Sequence, residues 1–108
     1  MAKELHGWLL GALLMLVSPA ASGQRLVRVG EGYSQTSVNT TVFRNSPLVT
    51  VGDRQYITYY DAEGYVVLGR RRLKSDRWTV RRTSYRGNVQ DAHNVISMGI
   101  DGEGYLHL

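Results

Sequence analysis

The sequence predicts an all-β protein assembled from four-stranded antiparallel units, and three observations carry that prediction. Beyond about residue 23, apolar residues alternate with polar ones instead of recurring at helical spacing. Turn residues (Gly, Asp, Asn, Ser) break the chain about every ten residues, the rhythm of short strands. Finally, "TVGDRQYITYY" (50–60) and "MGIDGEGYLHL" (98–108) follow one plan: an apolar run, a Gly/Asp turn and a Tyr-led strand.

Taken in order, "RLVRVG" (25–30) is a first strand that closes against something distant. The polar stretch 32–47 holds scattered Val and Phe, and "VNTTVF" pairs loosely. A cleaner series follows: "LVTVG" (48–52), "RQYITYYDA" (54–62), "GYVVLGRRR" (64–72) and "RWTVRRTSY" (77–85). Their joints, "GD", "AEG" and "KSD", suit tight turns, so these four strands form an antiparallel meander. "VISMGI" (95–100) then begins the plan again.

Matching Tyr56 to Tyr105 gives a period of 49 residues. Four-stranded units repeating at about 40–50 residues are the signature of a β-propeller. A small β-sandwich with two similar hairpins is the competing reading. On the propeller reading the chain holds the first blade and the start of a second.

Residues 1–23 read as a secretory signal peptide: Lys3 near the start, the apolar run Trp8 to Val17, then "SPAASG" with small residues suited to cleavage. The apolar run is shorter than the roughly 20 residues of a membrane span. An uncleaved N-terminal anchor is the alternative. The expected location is therefore secreted or periplasmic, with no membrane association after signal removal, and residues 24–108 are the N-terminal part of the propeller.

The whole chain carries a net charge of +4, and removing 1–23 takes away only Lys3 and Glu4, so the basicity belongs to the exported part. Of its twelve basic residues all but Lys74 are arginine, whose planar fork grips carboxylate or sulfate in two-pronged fashion. For an exported protein this points to acidic polysaccharide as partner rather than nucleic acid. Arg70 to Arg72 also read more simply as a solvated strand face. The chain has no cysteine, which excludes disulfides, thiolate metal sites and cysteine nucleophiles.

No HExxH, P-loop or GxGxxG motif is present. "DAEG" (61–64) and "DGEG" (101–104) lack the alternating oxygen ligands of a calcium loop and read as turns. "NTT" (39–41) is a formal glycosylation sequon. "KSDRWT" (74–79) is similar to the Asp-box turn of sialidase-like propellers with its spacing collapsed and its glycine missing; there Asp76 would cap the hairpin and Trp78 pack between blades. Among the histidines, His6 lies in the signal and His107 sits on the strand "GYLHL" with Tyr105, opposite Leu106 and Leu108. His93, in "QDAHN" just ahead of an inner-strand candidate, is the residue placed to shuttle a proton near neutral pH. A structural histidine is the plainer reading of His93 from composition alone.

"DAHNVISMGIDGEGYLHL" (91–108) resembles a segment of the BNR-4 repeat proteins, and the upstream "TVGDRQYITYYDAEGYVVLGRRRLKSDRWTV" resembles their first-blade pattern; together the resemblance covers roughly residues 38–108. That family comprises seven-bladed propellers and includes ulvan lyases and related polysaccharide lyases. The resemblance implies β-elimination on a uronate-containing polysaccharide: His93 matches the first histidine of the family's active-site pair, and Asn94 becomes a substrate contact. It also implies that the second histidine, the acid/base tyrosine and the carboxylate-pairing arginine follow Leu108. Whether His93 is the base or a charge-neutralising donor stays open at this level. No metal and no cofactor are implied. A non-catalytic carbohydrate-binding propeller is the alternative, and a sialidase-type hydrolase is disfavoured by the degenerate Asp-box.

Overall fold

In the computed structural model, which describes residues 23–41 and 44–108, the chain is all-β, with one 3₁₀ turn at Ser37–Asn39 and no α-helix among the described residues. The signal-peptide expectation for 1–23 falls almost entirely outside the described residues. Strands β1 (Leu48–Val51), β2 (Arg54–Tyr60), β3 (Tyr65–Arg72) and β4 (Thr79–Arg86) form one sheet in sequential antiparallel order, the meander expected from the turn signals. A second, two-stranded sheet pairs β5 (Gly99–Ile100) with β6 (Leu106–His107).

The β2–β3 turn explains why "DAEGY" folds as it does. Asp61 Oδ1 accepts the backbone N–H groups of Glu63 (2.9 Å) and Tyr65 (3.0 Å), while Asp61 N donates to Tyr65 O (2.9 Å). Such an Asx turn needs left-handed backbone at its last position, and Gly64 supplies φ +83°. "DGEGY" builds the same device: Asp101 Oδ1 accepts from Glu103 (3.0 Å) and Tyr105 (2.8 Å), with Gly104 at φ +90°. Both stretches are turns, as their sequence implied.

The two turns nevertheless join different kinds of strand pair. β5 touches β1; Leu106 lies beside Tyr56, Leu68 and Arg70, and Leu108 beside Tyr60 and Val66. The Asp61 turn thus joins two strands of the four-stranded sheet, and the Asp101 turn joins the separate β5–β6 pair.

Register assigns the sheet's faces. Tyr56 pairs with Arg70, Thr58 with Leu68 and Tyr60 with Val66, so these side chains share one face. There Tyr60 and Val66 meet Tyr33, Val38 and Ile96, with Val89 against them, forming the core. Val38 is 0 % exposed; full burial of such a side chain is worth about 1.5–3 kcal/mol. On the opposite face, Gly69 lets Trp78 and Ile57 close in: a Cβ at 69 would stand 2.8 Å from Ile57 Cγ2.

Three expectations are corrected. Residues 25–30 form no strand; Val29 and Gly30 lie against Gly69 and Tyr59 instead. A segment laid over a sheet's face meets side chains, whereas ladder partners are available only at the edges. "VISMGI" is a paired strand only at Gly99–Ile100; ahead of it Ile96 and Met98 are buried and Ser97 Oγ accepts from Asn45 N (3.2 Å) rather than joining a ladder. In the β3–β4 connection, Ser75 rather than Asp76 performs the capping: Ser75 Oγ accepts the N–H of Arg77 (3.1 Å), and Asp76 turns outward to pair with Arg25.

Of "VNTTVF", residues 38–41 form no strand, and 42 and 43 lie outside the described residues. Asn39 borrows the strand's role with its side chain: Oδ1 accepts Tyr60 N–H (2.9 Å), and Nδ2 donates to Tyr60 O (2.8 Å) and Tyr33 O (3.2 Å). Tyr33 N also donates to Tyr60 O (2.8 Å). The 33–39 segment is thereby fixed to the end of β2, and it becomes the platform on which the following site rests.

Candidate functional site

β4 ends beside the Asp61–Gly64 turn, where Gly87 N donates to Gly64 O (3.1 Å) and Val89 packs on Gly64. From there the chain crosses the 33–39 platform. Thr36 Oγ1 donates to Val89 O (2.6 Å), and Gln90 Nε2 donates to Tyr33 Oη (2.5 Å). Asp91 N donates to Asn88 O (3.1 Å), and Asn94 N to Asp91 O (3.0 Å), closing two successive turns. The polar "NVQDAHN" is therefore anchored by buried Tyr33 on one side while its outer side chains remain at the surface.

His93 sits on the second turn with its side chain 82 % exposed. Asp91 Oδ1 accepts the His93 backbone N–H (2.9 Å) and lies 2.8 Å from ring Nδ1. The His93 backbone N–H foremost, then the His93 ring, and also the Asn94 side chain hold the Asp91 carboxyl below the usual carboxylate range. Near neutral pH that carboxylate is ionised and can only accept, so Nδ1 carries the proton of the shared bond. In the neutral ring the lone pair then resides on Nε2. The arrangement is a histidine oriented by a carboxylate, the pairing that fixes which ring nitrogen can act as a base.

The sequence singled out His93 and Asn94, and the structure brings them together on one exposed turn around Asp91. Asp91 was the residue missed. Its signal was readable: an aspartate two positions before a histidine can close an Asx turn onto that residue's N–H and reach its ring.

His107 occupies a separate place, on β6, with Nε2 2.9 Å from Asp101 Oδ2. The His107 ring and then the Tyr105 N–H hold the Asp101 carboxyl down. This pairing ties the β5–β6 turn to its own strand, much as Arg82 Nε ties Asp61 Oδ2 (2.5 Å) to β4. Among the described residues, no three His, Asp or Glu side chains converge as a metal site requires.

Compared with known protein families, residues 54–108 match a model whose description is BNR repeat-containing family member. The match begins at the first residue of β2 and takes in the Asp91–Asn94 turn and the second hairpin. No curated protein matches the chain.

Proposed function

The chain belongs to the BNR repeat-containing family, and from that premise we propose that it is the opening part of an exported β-propeller that cleaves a uronate-containing acidic polysaccharide by β-elimination. On this reading the four-stranded sheet is one blade, β5–β6 opens the next, and His93 stands where the second blade's inner strand begins. The observation that supports the proposal is the Asp91–His93 pairing, in which the carboxylate lies 2.8 Å from ring Nδ1 and sets the imidazole's tautomer and direction.

The chemistry follows from that orientation. The C5 proton of a uronate is acidified by its carboxylate once a cationic or hydrogen-bonding group neutralises the charge. His93 Nε2 takes this proton; the C5–H electrons form the C4–C5 double bond; the C4–O bond breaks, and an acid protonates the departing oxygen. The neutralising group and the acid are assigned to other repeats of the propeller. Asn94, beside His93, retains amide hydrogen-bonding capacity for a sugar hydroxyl. This reading assigns His93 the base role rather than that of charge-neutralising donor.

The test is incubation of the full-length protein with acidic polysaccharides, ulvan first, following the ultraviolet absorbance of the unsaturated uronyl end that only elimination creates. Absorbance that rises with the wild type and not with His93→Ala is expected. A flat trace from folded protein across the panel would remove the lyase reading and leave carbohydrate binding by the same family as the function to pursue.

A further inference from the structure

At the end of the sheet remote from His93, a groove is lined by Arg54 of β2, Arg70, Arg71 and Arg72 of β3, and Arg77 of the β3–β4 connection. The loop bearing His93 leaves from the Gly64 end, and β3 spans about 23 Å between the two ends at the usual rise per residue. The groove is thus a separate location from the Asp91–His93 turn.

Its electrostatics are unusual for a merely solvated face. Arg54 and Arg72 stand directly opposite one another in the β2–β3 register, where like charges repel. Asp53 is the carboxylate they share, 3.4 Å from Arg72 Nη1 and 3.9 Å from Arg54 Nε, and it is itself 67 % exposed. Arg71 is held in place by uncharged groups: Gln55 Oε1 (2.8 Å), Ser75 O (3.3 Å) and the Trp78 ring, 5.0 Å beneath its guanidinium. Among the described residues, no carboxylate forms an ion pair with Arg70, Arg71 or Arg77. Arg54, Arg70 and Arg72 share one face of the sheet in the register, with Arg77 at its end, so four arginines stand against Asp53 there while Arg71 turns to the Trp78 face.

We propose that this groove is a second binding site, which holds the sulfate or carboxylate groups of an acidic polysaccharide chain. Guanidinium forks match oxyanion geometry two-prongedly. Hydroxyls of Ser75 and Thr79 in the same groove suit the neutral part of a sugar. The choice of a polysaccharide over other polyanions rests on the function proposed for the His93 turn. A site remote from the reacting bond would retain a long chain between cleavage events without taking part in the chemistry.

The test measures binding of the full-length protein to dextran sulfate (sulfate only), polygalacturonate (carboxylate only), neutral dextran and single-stranded DNA. Binding to either acidic polysaccharide with none to neutral dextran is expected, and which of the two binds names the anionic group. An Arg70→Gln/Arg72→Gln protein, and separately Arg77→Gln outside the sheet, should weaken that binding about tenfold or more, the effect of losing a charge-assisted hydrogen bond. Unchanged β-sheet circular dichroism controls for folding, and elimination from a short oligosaccharide should be unaffected. Wild-type affinity in the arginine variants, binding to neither acidic polysaccharide, or equal binding of DNA would overturn the proposal. The two readings fail separately: lost elimination with arginine-dependent binding sinks the lyase alone, and elimination with arginine-independent binding sinks the groove alone.

Discussion

Asp91 holds His93 twice through a single oxygen: Oδ1 accepts the His93 backbone N–H at 2.9 Å and meets ring Nδ1 at 2.8 Å. One contact shapes the turn, and the other sets the imidazole's tautomer and direction. The turn and the proton acceptor are therefore not separable, and substitutions at Asp91 act on both.

Asp91→Asn keeps the side chain's size and an oxygen for the turn but removes the acceptor-only carboxylate. The ring is then free to adopt the opposite tautomer. Elimination should fall by about tenfold or more, within the range a positioned general base contributes, with KM little changed. Steady-state kinetics on ulvan check this; a loss confined to KM would assign Asp91 to binding instead.

Asp61 and Asp101 make the same turn in different surroundings. Asp61 is 8 % exposed and ties its turn to Arg82, whereas Asp101 lies at the surface. Asp61→Ala removes the buried carboxylate that accepts the Glu63 and Tyr65 N–H groups and pairs with Arg82, and should destabilise the fold by about 1–3 kcal/mol. The equivalent Asp101→Ala should cost less. Denaturant unfolding of both variants gives the comparison.

Acid should unfold the protein through the same residue. Burial pushes the Asp61 carboxyl up, but the N–H groups of Tyr65 and Glu63 together with Arg82 outweigh it and hold the group below its ordinary 3.8. A depressed folded value means that the stabilisation is complete above the unfolded value. It is lost as pH falls from about 4 through the lower folded value. Stability measured from pH 7 to pH 2 should drop over that acid limb, and Asp61→Asn should flatten the drop.

Much of the fold was legible because the strands from β1 to β4 are defined by local signals: alternation, and turns whose Asp and Gly have specific backbone duties. What was not legible depends on partners distant in sequence. "RLVRVG" alternates like a strand, yet Val29 finds Gly69 and no ladder. "VISMGI" is apolar enough for a strand, but Ile96 joins Tyr33, Val38 and Tyr60 in the core and leaves a short β5. At the candidate site, His93 and Asn94 were visible as residue types in a polar turn. Asp91's part required knowing that the turn folds its carboxylate back under the ring.

Asn39 gives a further check on long-range pairing. Its amide bridges the N–H and C=O of Tyr60, so Nδ2 is committed inside the fold. Asn39→Ala should destabilise by about 1–3 kcal/mol, and the Asn39 sequon should stay unmodified in folded protein. Mass spectrometry of protein expressed in a glycosylating host reads the second outcome directly.

The central claim is that Asp91 holds the His93 ring proton on Nδ1 and so leaves the lone pair on Nε2. A long-range proton–nitrogen correlation spectrum of the His93 ring, recorded where the imidazole is neutral, tests it most directly. The account predicts a protonated Nδ1 and an unprotonated Nε2, with that preference lost in Asp91→Asn. A ring protonated on Nε2, or a tautomer indifferent to the aspartate, would contradict it.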